Sequence, residues 1–327
     1  MGISNTIESP SDYEAVVQAL EESVRRNLTD GLLLSGGLDT TILAYLATKW
    51  VKPSCITVAL RDAPAPDIEY AKLVVGRLHL KHYIHYFDFG GEELEDSIRA
   101  TIRIMKSFDP MEIRNSATIH VALKVAKAMG MSSVMTGDGG DELFGGYSFL
   151  FGLTREQLDV ELRKLWDAMI FSSIYLTGDL GLEVKLPFLD PEFKAFAMNL
   201  DAGMKVRSER GQIWGKWILR KAFENIIPGE IVWRVKDPIE VGSGATIIPS
   251  LFDSIISGIE FGKKKRKYLE GDGVTIRSKE HLFYYEIYRS LIGVPYATDN
   301  SAKRCPDCGT NVEERASYCR TCGAHPV

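Results

Sequence analysis

The sequence predicts an α/β fold: a doubly wound parallel sheet over about residues 28–150, a helical part over about 151–296, a linker at 297–303 and a small cysteine-bearing module at 304–327. Three observations carry this. Short apolar runs alternate with helical patterns through the first half, the spacing of βαβ crossovers and of a parallel sheet with helices on both faces. Helical patterns dominate from about residue 154 onward. Four of the five cysteines crowd into the last 23 residues as two Cys-x-x-Cys pairs.

The elements follow in order. Ser11-Asp12-Tyr13-Glu14 has capping-box spacing, and Ala15, Val16, Leu20 and Val24 recur at helical intervals, giving a helix to about Asn27. Gly31–Leu34 is a short apolar run that reads as a buried strand ending at Ser35-Gly36-Gly37. Residues 40–50 look helical, 55–60 a strand, 67–79 a helix and 83–87 a third strand. Helical stretches at about 92–107 and 115–129 lead to a strand at 133–136. Beyond it, 155–176, 191–199, 213–225 and 277–291 are helical, and the polar, breaker-rich 294–303 is a linker. There is no internal repeat.

With 327 residues the chain has ample length for a large core. Apolar residues at 45% and charged residues at 25% exclude a disordered or collagen-like chain. Lys plus Arg number 39 against 44 Asp plus Glu, a net charge of −5, so no global basic field draws the protein to nucleic acid or an anionic membrane. No apolar run approaches the roughly 18 residues of a membrane span, and the first residues lack a signal-peptide layout. The expected compartment is the cytoplasm.

Cys305, Cys308, Cys319 and Cys322 form two knuckles, Cys-Pro-Asp-Cys-Gly and Cys-Arg-Thr-Cys-Gly, with ten residues between the inner cysteines. Each short turn points two thiolates at one ion, and Gly309 and Gly323 let backbone amides approach the sulfurs. The pattern predicts a zinc ribbon. Four thiolates saturate the metal, so the zinc is structural, and a segment this small needs it to fold.

Ligands of an open parallel sheet bind beyond the carboxyl ends of its strands, and two loops there are unusual. Ser35-Gly36-Gly37-Leu38-Asp39-Thr40-Thr41 turns through glycines straight into a helix, so its backbone amides, with the Ser35 and Thr40 hydroxyls, make an anion cradle suited to phosphate. Asp39 would repel phosphate unless a divalent cation sat between, which points to Mg²⁺. The second loop, Thr136-Gly137-Asp138-Gly139-Gly140-Asp141-Glu142-Leu143-Phe144-Gly145-Gly146-Tyr147, puts five glycines and three carboxylates in twelve residues. Asp39 and Asp141 are the expected Mg²⁺ pair.

These residues carry a resemblance. The first loop resembles the pyrophosphate loop of the N-type ATP pyrophosphatase superfamily, whose fold is of the adenine nucleotide alpha hydrolase type. The second resembles a signature of the asparagine synthetase synthase domain. Val184-Lys-Leu-Pro-Phe-Leu-Asp190 and Trp233-Arg-Val-Lys236-Asp237 are similar to two further elements of that family. The likeness covers about residues 12–260 of a domain taken as 1–296. It implies ATP-dependent activation of a carboxylate: an acid attacks the α-phosphorus, pyrophosphate leaves, and a nitrogen nucleophile displaces AMP to give an amide. On this resemblance Ser35, Gly36, Gly37, Asp39 and Thr40 hold pyrophosphate and metal, Lys236 offsets phosphate charge, and Leu34, Val58, Thr136 and Gly137 line the nucleoside. Asp138 stands where the family has a glutamate that positions or deprotonates the nitrogen, with a reach about 1.5 Å shorter. Arg114 is the expected carboxylate clamp.

Departures bear on the substrate. Full asparagine synthetases begin with a glutaminase domain whose nucleophile follows the initiator methionine; here Gly2 follows Met1, so the expected nitrogen source is free ammonia, an amine, or a separate ammonia-supplying subunit. Met111 and Glu112 replace two threonines of the family, and Lys185 an arginine, so the acid is aspartate or another small carboxylic acid. Of the remaining features, Lys263–Lys267 reads as a solvated basic run or a contact for tRNA or an anionic partner. His82 and His85 fall on opposite faces of a strand rather than in a metal site. Cys55, Trp214 and Trp217 read as core. Two alternatives to the amidating synthetase stand beside it: a tRNA-modifying enzyme of the same superfamily whose ribbon docks RNA, and an ATP-binding sensor that recruits a partner.

Overall fold

The computed structural model describes residues 10–327; Met1, Gly2 and the side chain of Ser11 lie outside the described set. Five strands, β1 (Gly31–Leu33), β2 (Ser54–Leu60), β3 (His82–Phe87), β4 (Ser133–Met135) and β5 (Glu183–Lys185), make a sheet of order β3-β2-β1-β4-β5 in which every pairing is parallel. Neighbouring residues of β2 face opposite layers, Cys55 into one core cluster and Ile56 into another, as the two-residue period of a strand requires. One layer holds α1 (Pro10–Arg26), α2 (Leu38–Ala47) and α3 (Asp67–Leu78). The other holds α4 (Glu92–Met105) and α5 (Pro110–Ala128), joined, after α6 (Gly140–Phe144) and α7 (Arg155–Ala168), by α8 (Ser172–Leu180). The doubly wound parallel α/β sheet expected from the sequence is the fold observed.

The rest of the chain is α9 (Pro191–Asn199), α10 (Ala202–Lys205), an antiparallel hairpin of β6 (Val206–Glu209) and β7 (Gln212–Gly215), α11 (Trp217–Phe223), α12 (Gly229–Val232), α13 (Ile239–Gly242), α14 (Ile248–Ile255), α15 (Gly258–Asp272) and α16 (Lys279–Leu291). Four expectations shift. Helix α5 starts at Pro110 rather than 115, because the Asp109 carboxylate accepts from the Met111 and Glu112 amides and Pro110 fills the first turn. The stretch 155–176 is two helices, parted at 169–171. Residues 213–225 begin as a strand, since Arg210 (φ 54°) and Gly211 (φ 81°) both enter the left-handed region that a tight hairpin demands. The edge strand β5 comes from the part expected to be helical.

Trp214 and Trp217 are core, as is Cys55, whose thiol burial pushes up to about 12. His82 bonds Thr57 and His85 bonds Glu93, with no shared partner. Lys263–Lys267 lies in α15, where Lys264 pairs with Glu260 and Glu286. Among the described residues no helix is long and apolar enough to cross a membrane.

Candidate active site

The strand order reverses between β1 and β4, and both glycine-bearing loops leave the sheet there. After β1, Gly36 turns with φ 69°, and a Cβ on it would lie 2.4 Å from the Ala71 backbone nitrogen of α3, so only glycine fits. Gly37 is the N-cap of α2 without a side-chain cap, which leaves the first amides of the helix for a ligand. Ser35 Oγ accepts from Gly37 N at 3.2 Å and meets Thr40 Oγ1 at 3.1 Å, fixing both hydroxyls over the turn. After β4, a Cβ on Gly140 would stand 2.8 Å from the Asp39 carboxyl, so the second loop packs onto the first only through its glycine. Leu34 continues β1 and accepts Thr57 Oγ1 at 2.6 Å, with Val58 next along β2 and Thr136 leaving β4 beside it.

Sequence reasoning missed the residue at the centre. The Lys216 ammonium, buried at the start of α11, donates to Asp39 and pairs with Asp141 Oδ1 at 2.8 Å, while Lys236 approaches the same oxygen at 3.0 Å. Two carboxylates and two ammoniums therefore share one cluster, buried except at Lys236. Burial pushes the Asp39 carboxyl up against the pull of Lys216, whereas at Asp141 the two ammoniums outweigh burial and hold the carboxyl below its ordinary value. The carboxylates in turn keep Lys216 above its usual value although it is buried. Nothing near Lys216 in sequence marks it: it precedes an apolar helix, takes a left-handed backbone and acts across 177 residues.

Lys236 is held in place by its neighbours. Arg234 binds Asp67 Oδ1 at 3.1 Å and Asp237 Oδ2 at 2.6 Å and lies 3.8 Å over the Tyr70 ring, tying this segment to α3. Lys236 itself sits 4.3 Å over the Tyr147 ring. Asp138 has its own partners: its Oδ2 accepts from Thr136 Oγ1 at 2.9 Å and from Ser173 Oγ at the first turn of α8, and burial raises its carboxyl above the ordinary range despite both bonds. Ser173 is a second residue sequence reasoning did not single out.

Arg114 is not part of this cluster. Its guanidinium bonds Glu280 Oε2 at 2.6 Å inside the α5–α16 interface, where Glu280 is 3% exposed. Of the element similar to the family's, Lys185 pairs with Glu183, and Asp190 caps α9 and binds Arg26 at 2.6 Å, a link between α1 and α9.

The four ribbon cysteines are all buried, with every Sγ within 4.8 Å of the others, and are the one group of three or more potential metal ligands among the described residues. The Cys305–Cys322 and Cys308–Cys319 sulfurs lie 3.6 and 3.7 Å apart, close to the edge of about 3.8 Å that four Zn–S bonds of about 2.3 Å impose on a tetrahedron. These donors fit zinc. Mg²⁺ fits the other centre: Asp39 Oδ1 is buried without a hydrogen-bond partner, a free oxygen beside the Asp141 carboxylate.

The asparagine synthase family model matches residues 13–174 and 175–303. The chain belongs to the asparagine synthase family. It is 30% identical to a probable glutamine-hydrolyzing asparagine synthetase of Schizosaccharomyces pombe, with 86% of this chain and 56% of that protein aligned. It is 29% identical to asparagine synthetase B of Escherichia coli (strain K12), over 88% of this chain and 55% of that one. The chain thus spans about half the length of the curated relatives it matches. Among solved structures, NMN synthetase from Francisella tularensis covers 90% of this chain at 17% identity, with a TM-score of 0.40. The family match stops at residue 303, so the four cysteines lie outside the part this chain shares with the asparagine synthase model.

Proposed function

We propose that the chain is an ATP-dependent amidating synthetase that adenylates a small carboxylic acid and passes the acyl group to ammonia or an amine. The convergence of Asp39, Asp141, Lys216 and Lys236 at the strand-order reversal carries this reading. The α2 amides with Ser35 and Thr40 bind the β- and γ-phosphates, and Leu34, Val58, Thr136 and Gly137 line the nucleoside. Asp39 and Asp141 would hold Mg²⁺, which would supply charge neutralisation on the phosphates.

An acid oxygen attacks the α-phosphorus, the bond to the β-phosphate oxygen breaks, and the charge that develops on the departing pyrophosphate falls beside Lys216 and Lys236. The nitrogen nucleophile then attacks the acyl carbon, gives up its proton to Asp138, and AMP leaves. The raised Asp138 carboxyl is better matched to that proton than an ordinary aspartate. Thr136 and Ser173 fix the orientation of the carboxylate. The ribbon packs on its own chain, so no observation favours RNA docking over this reading.

The test is pyrophosphate release from ATP and Mg²⁺ with ammonium present, over aspartate, other small acids and bulk tRNA, with Asp39→Ala as control. Release dependent on one acid and lost in the variant is expected. Release with tRNA alone, or nucleotide binding without turnover on any acid, would overturn it.

A further inference from the structure

Arg220 of α11 is a buried cation that the proposed chemistry leaves unused. It is 5% exposed, and among the described residues no carboxylate bonds it. Its guanidinium binds three backbone carbonyls instead: Nε donates to Gly215 O at 2.9 Å, and Nη1 to Val232 O and, at 3.1 Å, to Arg234 O. The group lies 4.7 Å over the Trp214 ring. Burial pulls it down to about 10 against the opposing charges of Asp39 and Asp141. A guanidinium taken out of water without a bonded counter-ion is costly, so its position calls for a reason.

The three carbonyls belong to the two segments that carry the site's ammoniums. Gly215 ends β7 and immediately precedes Lys216, whereas Val232 ends α12 and Arg234 stands two residues before Lys236. The first segment is fixed on its own account. Lys216 N donates to Phe144 O at 2.8 Å, and a Cβ on Gly215 would lie 2.1 Å from Gly145 O, so the chain there is pressed onto the second glycine loop. The second segment is looser. Residues 235–239 are exposed, Val235 at 67%, and among the described residues no backbone hydrogen bond holds 235–237. Lys216 and Lys236 both approach Asp141 Oδ1, at 2.8 and 3.0 Å, and two like charges around one oxygen repel. Their juxtaposition is therefore not self-maintaining, and the chain has to impose it. The Arg234 side chain ties the looser segment to α3, and Arg220 ties it to the carbonyl next to Lys216.

We propose that Arg220 is a positioning residue whose three-carbonyl clasp sets Lys236 against Lys216, so that both ammoniums meet the departing pyrophosphate together. What the ammoniums do there rests on the synthetase reading; that Arg220 places them does not. A lysine could not replace it, because a guanidinium directs donors from separate nitrogens in a rigid plane, while an ammonium offers its three from one atom.

The test uses Arg220→Lys, which keeps the charge, with Arg220→Gln as a second variant in case the first fails to fold. Lys236 is labelled with a limiting amount of an acetylating reagent and its rate read by mass spectrometry against the exposed Lys164. It should label several-fold faster in the variant, with Lys164 unchanged. In parallel, pyrophosphate release is measured in a cycle with Lys236→Met. Arg220→Lys should lower kcat about tenfold or more with the KM for ATP within about threefold, because charge on the leaving group develops only in the transition state. In the Lys236→Met background the same change should cost less than about twofold. A lower melting temperature alone is what a merely structural role predicts and does not count. Unchanged Lys236 labelling, or full additivity in the cycle, overturns the proposal. Faster Lys236 labelling in the variant, with no pyrophosphate release by the wild type on any acid, upholds the clasp and sinks the synthetase reading instead.

Discussion

Removing the Lys216 ammonium leaves the buried Asp39 and Asp141 carboxylates facing each other, with only the part-exposed Lys236 to offset them. Breaking a buried ion pair from one side costs about 3–5 kcal/mol, because the surviving charge keeps its desolvation penalty. Lys216→Met should therefore lower stability by that order at pH 7. The deficit should narrow as pH falls, because the carboxylates left behind take up protons more readily than in an unfolded chain. Pyrophosphate release should drop by a factor on the order of 10²–10³, the loss of one preorganised charge at the leaving group. Mn²⁺ should bind the variant more tightly than the wild type without nucleotide, since the ammonium no longer competes for Asp39. Full activity in a folded variant would remove Lys216 from the phosphates. At this scale the two loops were legible because glycines and carboxylates concentrate in them. Lys216 was not, nor was the pairing of Arg114 with Glu280, because each contact joins residues more than 160 positions apart.

Asp190 shows how one side chain binds two elements. It caps α9 through the Glu192 and Phe193 amides and takes Arg26 of α1 at 2.6 and 3.0 Å. The Arg26 guanidinium holds its carboxyl below the ordinary 3.8. A depressed carboxyl adds stability above its unfolded value and loses it as pH falls through the lower folded one. Asp190→Ala should cost about 2 kcal/mol at pH 7 by chemical denaturation, and the gap to wild type should close below pH 3.8. A gap that persists in acid would mean that packing, not charge, is what the side chain provides. The same scale explains which elements could be read ahead. Strands β1 to β4 are apolar or flanked by turn residues, and α1, α3, α4 and α9 keep a clear helical period. Strand β5 has a single apolar residue between two charges, Glu183-Val184-Lys185, and is a strand only because β4 pairs with it. The β6–β7 hairpin turns on Arg210-Gly211, where a non-glycine with positive φ gives no local signal.

The four cysteines of the module share a core cluster with Phe108, Val274, Ile276, Tyr285 and Tyr288. Arg277 donates to the Cys322 carbonyl and binds Asp307 at 2.6 Å, and Thr275 N meets the Asp307 carbonyl at 2.8 Å. Thr298 and Asp299 fold back onto Asn311, so the linker is ordered against the module it introduces. Zinc held by the four thiolates would then stabilise more than its own 24 residues, because the knuckle it shapes also satisfies Ser107, Phe108 and the Asp109 cap. Chelating the metal, or Cys319→Ser, should raise hydrogen exchange at Phe108 N, Met111 N, Glu112 N and Thr275 N while strands β1, β2 and β4 keep their protection. The melting temperature should fall in step with zinc release. The Lys216–Asp39–Asp141 cluster adjoins the other core, which holds Leu38, Leu143 and Trp217, so ATP binding should survive the loss of zinc. If exchange at Phe108 stays slow in zinc-free protein, the module is held by its apolar contacts alone and the metal has no hand in placing α5.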